Sequence, residues 1–409
     1  MINILKKNCA SCNKKNLYLL LNLGNTPLAN SFLISKNQFR SEKNYPLKLY
    51  FCSSCYLVQV IHNVKPSEFF VDYDYLSGPS TTWQNHCKKF TKKMISRFKL
   101  KKNEGEIIEI ASNDGVLIEN FKKKNFKCIG IEPSKKAHNL AKKKGVFSIN
   151  NFLNSSLVYK EKKLKNSYPQ LIIANNVIAH VKNINDFIKS IRDLSNNRTI
   201  ISVEFPYVYN LLKNNQFDTI YHEHHYYYSI TSLKNLIEKH DLEIFDAEYL
   251  KIHGGSYRVF IKKKNSSLKI KSKINKILDY ENKINLNKKT FYKNFQNKVN
   301  KIKINTNNKL KKILKKNKVV HAYGAAAKGN TFLNFCKIND KQINIIYDAN
   351  KKKTNKFLPG SHIKILDPSK IKIFKPDFIV VLPWNIFDEI KQQLSFTKKW
   401  GCKLITFKY

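Results

Sequence analysis

The sequence predicts an α/β protein: two strand–turn–helix units of the Rossmann-like kind behind a small cysteine-bearing domain. Three observations carry this reading. Two Cys-x₂-Cys pairs lie near the N-terminus. From residue 106 short apolar runs alternate with helical spacing, and at 318 the same alternation begins again. Strands that alternate with helices mark a parallel sheet covered by helices. At 409 residues the chain also exceeds one ordinary core. The expected division is 1–75, 76–265 and 266–409.

Taken in order, YPLKLYFCSSCYLVQVIH reads as hairpin strands around the second cysteine pair. Residues 81–102 have helical spacing. EIIEI, CIGIEPS, QLIIANNVIAH and TIISVEFPY are strands with their following loops, and EIFDAEYL and SYRVFIKKK close the same sheet. Residues 262–317 are dense in Lys and Asn, but Ile, Leu, Tyr and Phe recur at three- and four-residue steps, which predicts an amphipathic helix or helical hairpin. KVVHAYG, INIIYDANK, DFIVVLPWN and CKLITF then supply the strands of a second α/β unit.

Of eight cysteines, Cys9, Cys12, Cys52 and Cys55 form the two tight pairs, and the others are solitary. Each pair offers two thiolates on a turn, and two pairs complete a tetrahedral sulfur shell for structural zinc. The long excursion between the pairs is tolerable because closure entropy grows slowly with length. His62 is a substitute ligand that four cysteines make unnecessary. A shell of four thiolates has no open position, so this zinc does no chemistry. The N-terminus shows no signal peptide and no long apolar run, so a reducing, cytoplasmic location without a membrane span is expected.

The formal net charge is +46. Lysine and asparagine are scattered throughout, arginine is scarce, and no arginine-rich arm or finger array appears. The charge therefore reads as compositional drift rather than a specific nucleic-acid function, while still favouring an anionic small substrate.

The turn in EIIEIASNDGVLIENF is not the closely spaced glycine pattern of a nicotinamide site. Asn113 and Asp114 occupy it, ahead of Gly115. Adenosine without a diphosphate fits better. Glu132, ending the second strand, is placed to accept both ribose hydroxyls, and Glu109 and Asp114 to meet a cationic sulfonium and its amino-acid tail. An ordinary turn with Asp114 capping the helix is the alternative.

DTIYHEHHYYYS, residues 218–229, concentrates three histidines and two acids. In a regular strand Tyr221 and Glu223 would face one way and His222 and His224 the other, so the segment must be a loop or a bulged strand end. It lacks the helix-spaced HExxH of a metal site. HGGSYR, residues 253–258, places Gly255, Ser256 and Arg258 either on the substrate side of a cleft or in an ordinary tight turn. In AYGAAAKGNTF, Gly324, Lys328 and Gly329 suggest a phosphate cradle at a helix N-terminus, without the Walker pattern. Lys328 would meet a substrate diphosphate or only stabilise the turn. Asp348 resembles a ribose-binding acid, and a vestigial nucleotide fold explains it equally.

In order along nearly the whole chain, CxxC…CxxC, DYDYLSGPSTTWQNHC, EIASNDGVLI, GIEPS, NNVIAHV, EFPYV, DTIYHEHHYYYS, HGGSYRVF, YGAAAKGNTFLNF, FLPGSHIKI and LPWNI resemble the sugar C-methyltransferases that act on nucleotide-linked keto-deoxysugars. The resemblance implies a zinc-binding N-terminal domain, a middle domain binding S-adenosylmethionine, and a C-terminal nucleotide fold that caps the substrate. Such enzymes take a proton from beside a sugar ketone and methylate the enolate carbon. Carried over by motif are His224 as base, Tyr221 and His180 as donors to the ketone oxygen, and Glu223 as an acid that orients an imidazole or holds a sugar hydroxyl. His222, His225 and Tyr226–Tyr228 are packing or pocket wall. Tyr73 or Tyr75 lies near the substrate, although Leu76 and Gly78 depart from the usual pattern around them. Ala111, Asn175 and Asn176 join the cofactor residues; Ala111 stands where glycine is common, which is tolerable if its backbone is not left-handed. A dTDP-linked keto-sugar and a monomer or weak homodimer are expected. A sugar O- or N-methyltransferase is the rival reading, since it differs only in whether a carbon acid must be ionised. An oxidoreductase lacks its glycine fingerprint and catalytic Tyr-x₃-Lys, and a nucleic-acid binder lacks a basic patch with spaced aromatics.

Overall fold

The computed structural model describes residues 8–64, 68, 81–252 and 254–407. Tyr73, Tyr75, Leu76, Gly78 and His253 lie outside the described residues.

Three sheets organise the described residues. The first is antiparallel: β1 (Leu17–Thr26), β2 (Tyr45–Cys52), β3 (Val58–Val60) and, from far along the chain, β9 (Tyr226–Tyr227), in that order. Its last strand comes from the histidine-rich stretch. The sheet therefore joins the cysteine region to the middle of the chain through backbone hydrogen bonds, with Val58 opposite Tyr227 and Gln59 opposite Tyr226.

The second sheet has seven strands. β4 (Ile107–Ile110), β5 (Cys128–Ile131), β6 (Ser148–Ile149), β7 (Leu171–Asn175) and β8 (Ile200–Pro206) run parallel. β10 (Leu242–Leu250) and β11 (Ser256–Lys263) form an antiparallel hairpin whose second strand inserts beside β8. The spatial order β10-β11-β8-β7-β4-β5-β6 puts the first strand near the centre, with the chain stepping away from it on both sides. That reversal opens a crevice at the carboxyl ends of β4 and β7, where ligands bind in open α/β sheets. β4 is buried along its length, and β7 along all but its last residue, as near-continuous apolar parallel strands must be. One face packs Cys87, Phe90 and Met94 of the helix Thr81–Phe98 against Ile107, Leu171 and Ile173. The opposite face shares a core with Cys9, Cys52, Cys55 and Leu57, so the cysteine cluster is part of the middle sheet's packing.

The third sheet is fully parallel: β14 (Lys364–Leu366), β13 (Ile345–Tyr347), β12 (Val320–Tyr323), β15 (Phe378–Val381) and β16 (Lys403–Ile405), in that spatial order. β14, in HIKIL, is a strand the sequence reading did not single out. The Lys/Asn-rich connector is helical, as its spacing predicts: Ser272–Lys283, Lys289–Tyr292 and Phe295–Leu314. Its apolar residues Tyr292, Phe295, Val299 and Leu310 pack with Phe51 of β2 and Phe332 of the third unit in one continuous core. Each such burial is worth roughly 1.5–3 kcal/mol, which outweighs the poor helix propensity of the asparagines. No helix among the described residues is long and apolar enough to cross a membrane.

Candidate functional site

The four predicted cysteines meet, with their sulfur atoms all within 4.8 Å of one another. Cys9 Sγ lies 3.5 Å from Cys55 Sγ, and Cys12 Sγ 3.5 Å from Cys52 Sγ. A tetrahedral zinc shell with bonds of about 2.3 Å sets its sulfurs about 3.8 Å apart, close to the spacing of this group, so the four thiolates fit the ion. His62 plays no part: its Nδ1 accepts the Val64 amide at 3.1 Å, and its Nε2 therefore donates to the His222 carbonyl at 2.8 Å.

Around the crevice of the middle sheet, Glu132 follows β5 and is buried. Its Oε2 accepts the Asn113 amide at 2.8 Å and its Oε1 the Ser134 amide at 2.8 Å, so the carboxylate is aimed by two turns and each oxygen keeps a second lone pair. Asn175, at the end of β7, has both amide atoms shielded from solvent and no protein partner for either. A buried amide left open in this way calls for a ligand's polar groups, and the carboxyl end of β7 is where the sheet offers one room. The residues fit S-adenosylmethionine on that ground. Asn176, the next residue, adopts φ 57°, and Asn113 φ 51°, a conformation asparagine tolerates. Gly115 caps the helix Val116–Lys122.

Three cofactor-turn expectations need correction. Glu109 does not face a cationic tail. Its Oε2 accepts the Ile118 amide at 3.0 Å, and burial raises its carboxyl well above the usual range, so it is turned to the helix rather than to a cation. Asp114 is paired with Lys144, which also donates to its backbone carbonyl, so its charge is balanced within the fold. Ala111 does have a left-handed backbone, φ 53°. A Cβ there costs about 1–2 kcal/mol relative to the ordinary helical region.

Gly255, Ser256 and Arg258 are likewise turned inward. A Cβ on Gly255, φ 107°, would run into Asn210 Nδ2 and the Tyr249 hydroxyl, so the glycine is needed for hairpin packing. Ser256 Oγ donates to the Ile252 carbonyl. Arg258 is buried in ion pairs with Glu204 and Glu248 and sits 4.6 Å above the Phe90 ring. The substrate contacts expected of these three are replaced by contacts that hold the β10–β11 hairpin to β8. Of the two readings the sequence left open, the tight turn is the one these contacts favour.

The histidine stretch is a turn, as the facing argument requires: the His224 amide bonds the Tyr221 carbonyl at 2.9 Å, and β9 begins two residues later. The turn is held on both sides. The Val60 amide donates to the His225 carbonyl, and the His225 amide donates to the Ala179 carbonyl, next to His180. The rings of His180 and His224 thereby meet at 4.6 Å, edge to face, and Tyr221 lies 4.0 Å from His224. His224 Nδ1 is 2.9 Å from the Thr219 carbonyl, which can only accept, so Nδ1 carries the proton. Nε2 is left with a lone pair, and Tyr221 Oη donates to it at 2.8 Å. Burial pushes His224 well below the usual imidazole range, aided by His180, and burial lowers His180 to about 4. Both rings are neutral at neutral pH. Tyr226, Tyr227, Tyr228 and His222 are buried, as wall residues should be.

Glu223 does not orient an imidazole. Both its oxygens accept from Asn30 Nδ2, at 2.9 and 3.0 Å, and burial raises its carboxyl to about 7 despite that bond. Asn30, in PLANSF of the N-terminal region, escaped the sequence reading. It lies 193 residues away, and no spacing rule could pair the two.

The third sheet brings Lys328 and Trp384 to the same place. Trp384 Nε1 donates to Asp218 Oδ2 at 2.6 Å, one residue from the carbonyl that holds His224. Lys328 Nζ bonds Asn385 Oδ1 at 2.7 Å and lies 5.0 Å from the Trp384 ring centroid. Burial lowers its ammonium, and Asp218 opposes that shift. Gly324 and Gly329 are packing glycines: their Cβ positions are taken by Pro383 and Leu382.

Comparison with known proteins agrees with this plan. A zinc-binding domain family matches residues 9–70, a methyltransferase domain family 83–247, and the C-methyltransferase C-terminal domain family 251–407. The C-methyltransferase NovU of Streptomyces niveus is 28% identical over 383 residues, covering 93% of this chain and 90% of that protein. Among solved structures, an S-adenosylmethionine-dependent methyltransferase from Thermotoga maritima is 16% identical over 45% of this chain and 98% of its own, with TM-score 0.33. One from Clostridium acetobutylicum is 12% identical over 48% and 96%, with TM-score 0.36. With four cysteine sulfurs spaced for zinc, an α/β core open at the ends of β4 and β7, and domain matches in order from residue 9 to 407, the chain is a three-domain S-adenosylmethionine-dependent methyltransferase similar to the C-methyltransferase NovU.

Proposed function

We propose that the chain methylates a carbon beside the ketone of a nucleotide-linked keto-deoxysugar, dTDP-linked by the resemblance of its motifs, and that His224 is the base. The observation that carries this is the fixed tautomer of His224. Its Nδ1–H is spent on the Thr219 carbonyl, so its Nε2 lone pair faces the Tyr221 hydroxyl. A carbon acid beside a ketone needs such a base within hydrogen-bond reach, and donors for the oxygen that gains charge. Tyr221 releases its hydroxyl from Nε2 when substrate enters and turns it to the enolate oxygen. His180, neutral and edge-on to His224, offers a second donor. Lys328 is the cation of this cleft and suits the diphosphate or the enolate oxygen. Glu223, held by Asn30, suits a sugar hydroxyl. Bound S-adenosylmethionine supplies the methyl group as an electrophile. The proton goes to His224 Nε2, and Thr219 steadies the imidazolium that forms.

The rival O- or N-methyl transfer also hands a proton to a base, but it builds no enolate oxygen, which leaves the donors Tyr221 and His180 without one to stabilise. The test is a substrate pair: a nucleotide-linked 4-keto-deoxysugar and the same sugar with the ketone reduced. Methyl transfer, with exchange of the proton beside the carbonyl, is expected for the ketone alone. Full-rate methylation of the reduced sugar on oxygen overturns the proposal.

A further inference from the structure

The zinc knuckles and the histidine turn touch one residue in common, Gln59. Its side chain is buried, and Nε2 donates to Cys9 Sγ at 3.2 Å while Oε1 accepts the Ala10 amide at 3.0 Å. An N–H aimed at a metal-bound thiolate is a charge-assisted bond that fixes that ligand. The backbone of Gln59 lies in β3, opposite Tyr226 of β9. The next amide, Val60, bonds the His225 carbonyl at 2.9 Å. Two residues on, His62 bonds the carbonyl of His222. The ring of His62 also packs against His222 and His225, at 5.5 and 4.9 Å. Across the turn, the His225 amide bonds Ala179, beside His180. The backbone around His224 is thus clamped between β3 and the loop after β7, and β3 is only three residues long. All three of its residues pair with β2, Leu49 opposite Val60, Tyr50 opposite Gln59 and Phe51 opposite Val58, while only two pair with β9, so small shifts of so short a strand are passed to the turn. Besides β2, it is anchored by the cysteine turn before it, where the Cys52 amide bonds the Leu57 carbonyl, and by the side chain of Gln59.

We propose that Gln59 is a positioning residue that couples the zinc site to the histidine turn, so that the metal sets the register in which His224 and His180 face each other. The zinc takes no part in the chemistry. It holds Cys9, Cys9 holds Gln59, and Gln59 holds the strand to which the turn is hydrogen-bonded. The kinetic consequence rests on the assignment of His224 as base; the coupling itself does not.

The test uses the zinc-loaded full chain with Gln59→Leu and Gln59→Glu. The first removes both side-chain bonds. The second keeps the shape and the acceptor for Ala10 but turns an oxygen, not an N–H, toward Cys9. Zinc affinity, read by chelator competition, should fall about 10–100-fold in both, the usual cost of losing a second partner of a metal ligand. At saturating zinc, amide hydrogen exchange at residues 225–228 should quicken about 10-fold or more while β4 and β5 stay protected. Turnover should fall with S-adenosylmethionine affinity and the sugar-nucleotide KM unchanged. Weaker zinc with unchanged exchange at 225–228 overturns the coupling and leaves Gln59 a support of the metal alone; unchanged zinc affinity overturns it as well. If neither variant folds, wild-type chain stripped of zinc by chelator gives the same exchange readout, and protection at 225–228 that survives metal removal is the contradicting result. Should wild type fail to exchange the sugar proton, the proposed chemistry is wrong, yet amide exchange still decides the role of Gln59.

Discussion

The turns after β4 and after β12 are built alike. In each, a carboxylate at the end of the neighbouring strand accepts an amide of the turn: Glu132 from Asn113, Asp348 from Ala325. In each, the second oxygen accepts an amide two residues on, Ser134 or Asn350. They differ in what fills the space beside the acid. Beyond the first turn, Asn175 keeps an unanswered amide. Beyond the second, Lys353 Nζ reaches Asp348 and the Ala325 carbonyl and lies over the Phe32 ring. The open turn is the one that suits a ligand. When a lysine of its own chain neutralises the acid, the turn becomes a rigid support that presents Lys328 and Trp384 to a neighbour.

The largest effect expected from breaking this contrast is on cofactor binding. Glu132→Ala should weaken S-adenosylmethionine by about 1–3 kcal/mol, the scale of lost bonds to a charged acceptor, as read by calorimetry. Asp348→Asn should leave that affinity unchanged. Equal losses in the two variants, or none in either, would erase the distinction. A smaller effect belongs to Lys328. Lys328→Met should raise the KM for the sugar nucleotide by roughly 10-fold, one charge-assisted contact, without changing cofactor affinity. A change in cofactor affinity instead would place the lysine in the other site. The smallest effect sharpens the first turn itself. Ala111 is left-handed, so Ala111→Gly should raise the unfolding free energy by about 1 kcal/mol in denaturant titration. Destabilisation would show that the methyl group does more by packing than it costs in backbone strain.

Much of this was legible in the sequence because it depends on local spacing. The Cys-x₂-Cys pairs, the alternation of strands and helices, and the turn at 221–224 all follow from periodicities of two, three or four residues. What was not legible depends on closure between distant segments. That β9 completes the sheet of the cysteine region could not be read from YYYS, since a two-residue strand has no pattern. Asn30 on Glu223 and Trp384 on Asp218 are side-chain meetings across 193 and 166 residues. Arg258 shows the opposite failure. An arginine after two glycines looks available for substrate, and only the register that sets it opposite Glu204 reveals an internal ion pair. Glu109 misled for the same reason: a carboxylate near a turn reads as open to a cation until burial and the Ile118 amide are known.

The central claim is that His224 removes the proton. The most direct measurement is deuterium wash-in at the sugar carbon beside the ketone, in deuterated water, with S-adenosylhomocysteine in place of the methyl donor. His224→Asn should bind cofactor and sugar nucleotide as wild type does and lose wash-in by about 10²–10⁴-fold, the scale of a general base. Wash-in near the wild-type rate in that variant, with only methyl transfer lost, would contradict the account and move the base to another group, His180 first.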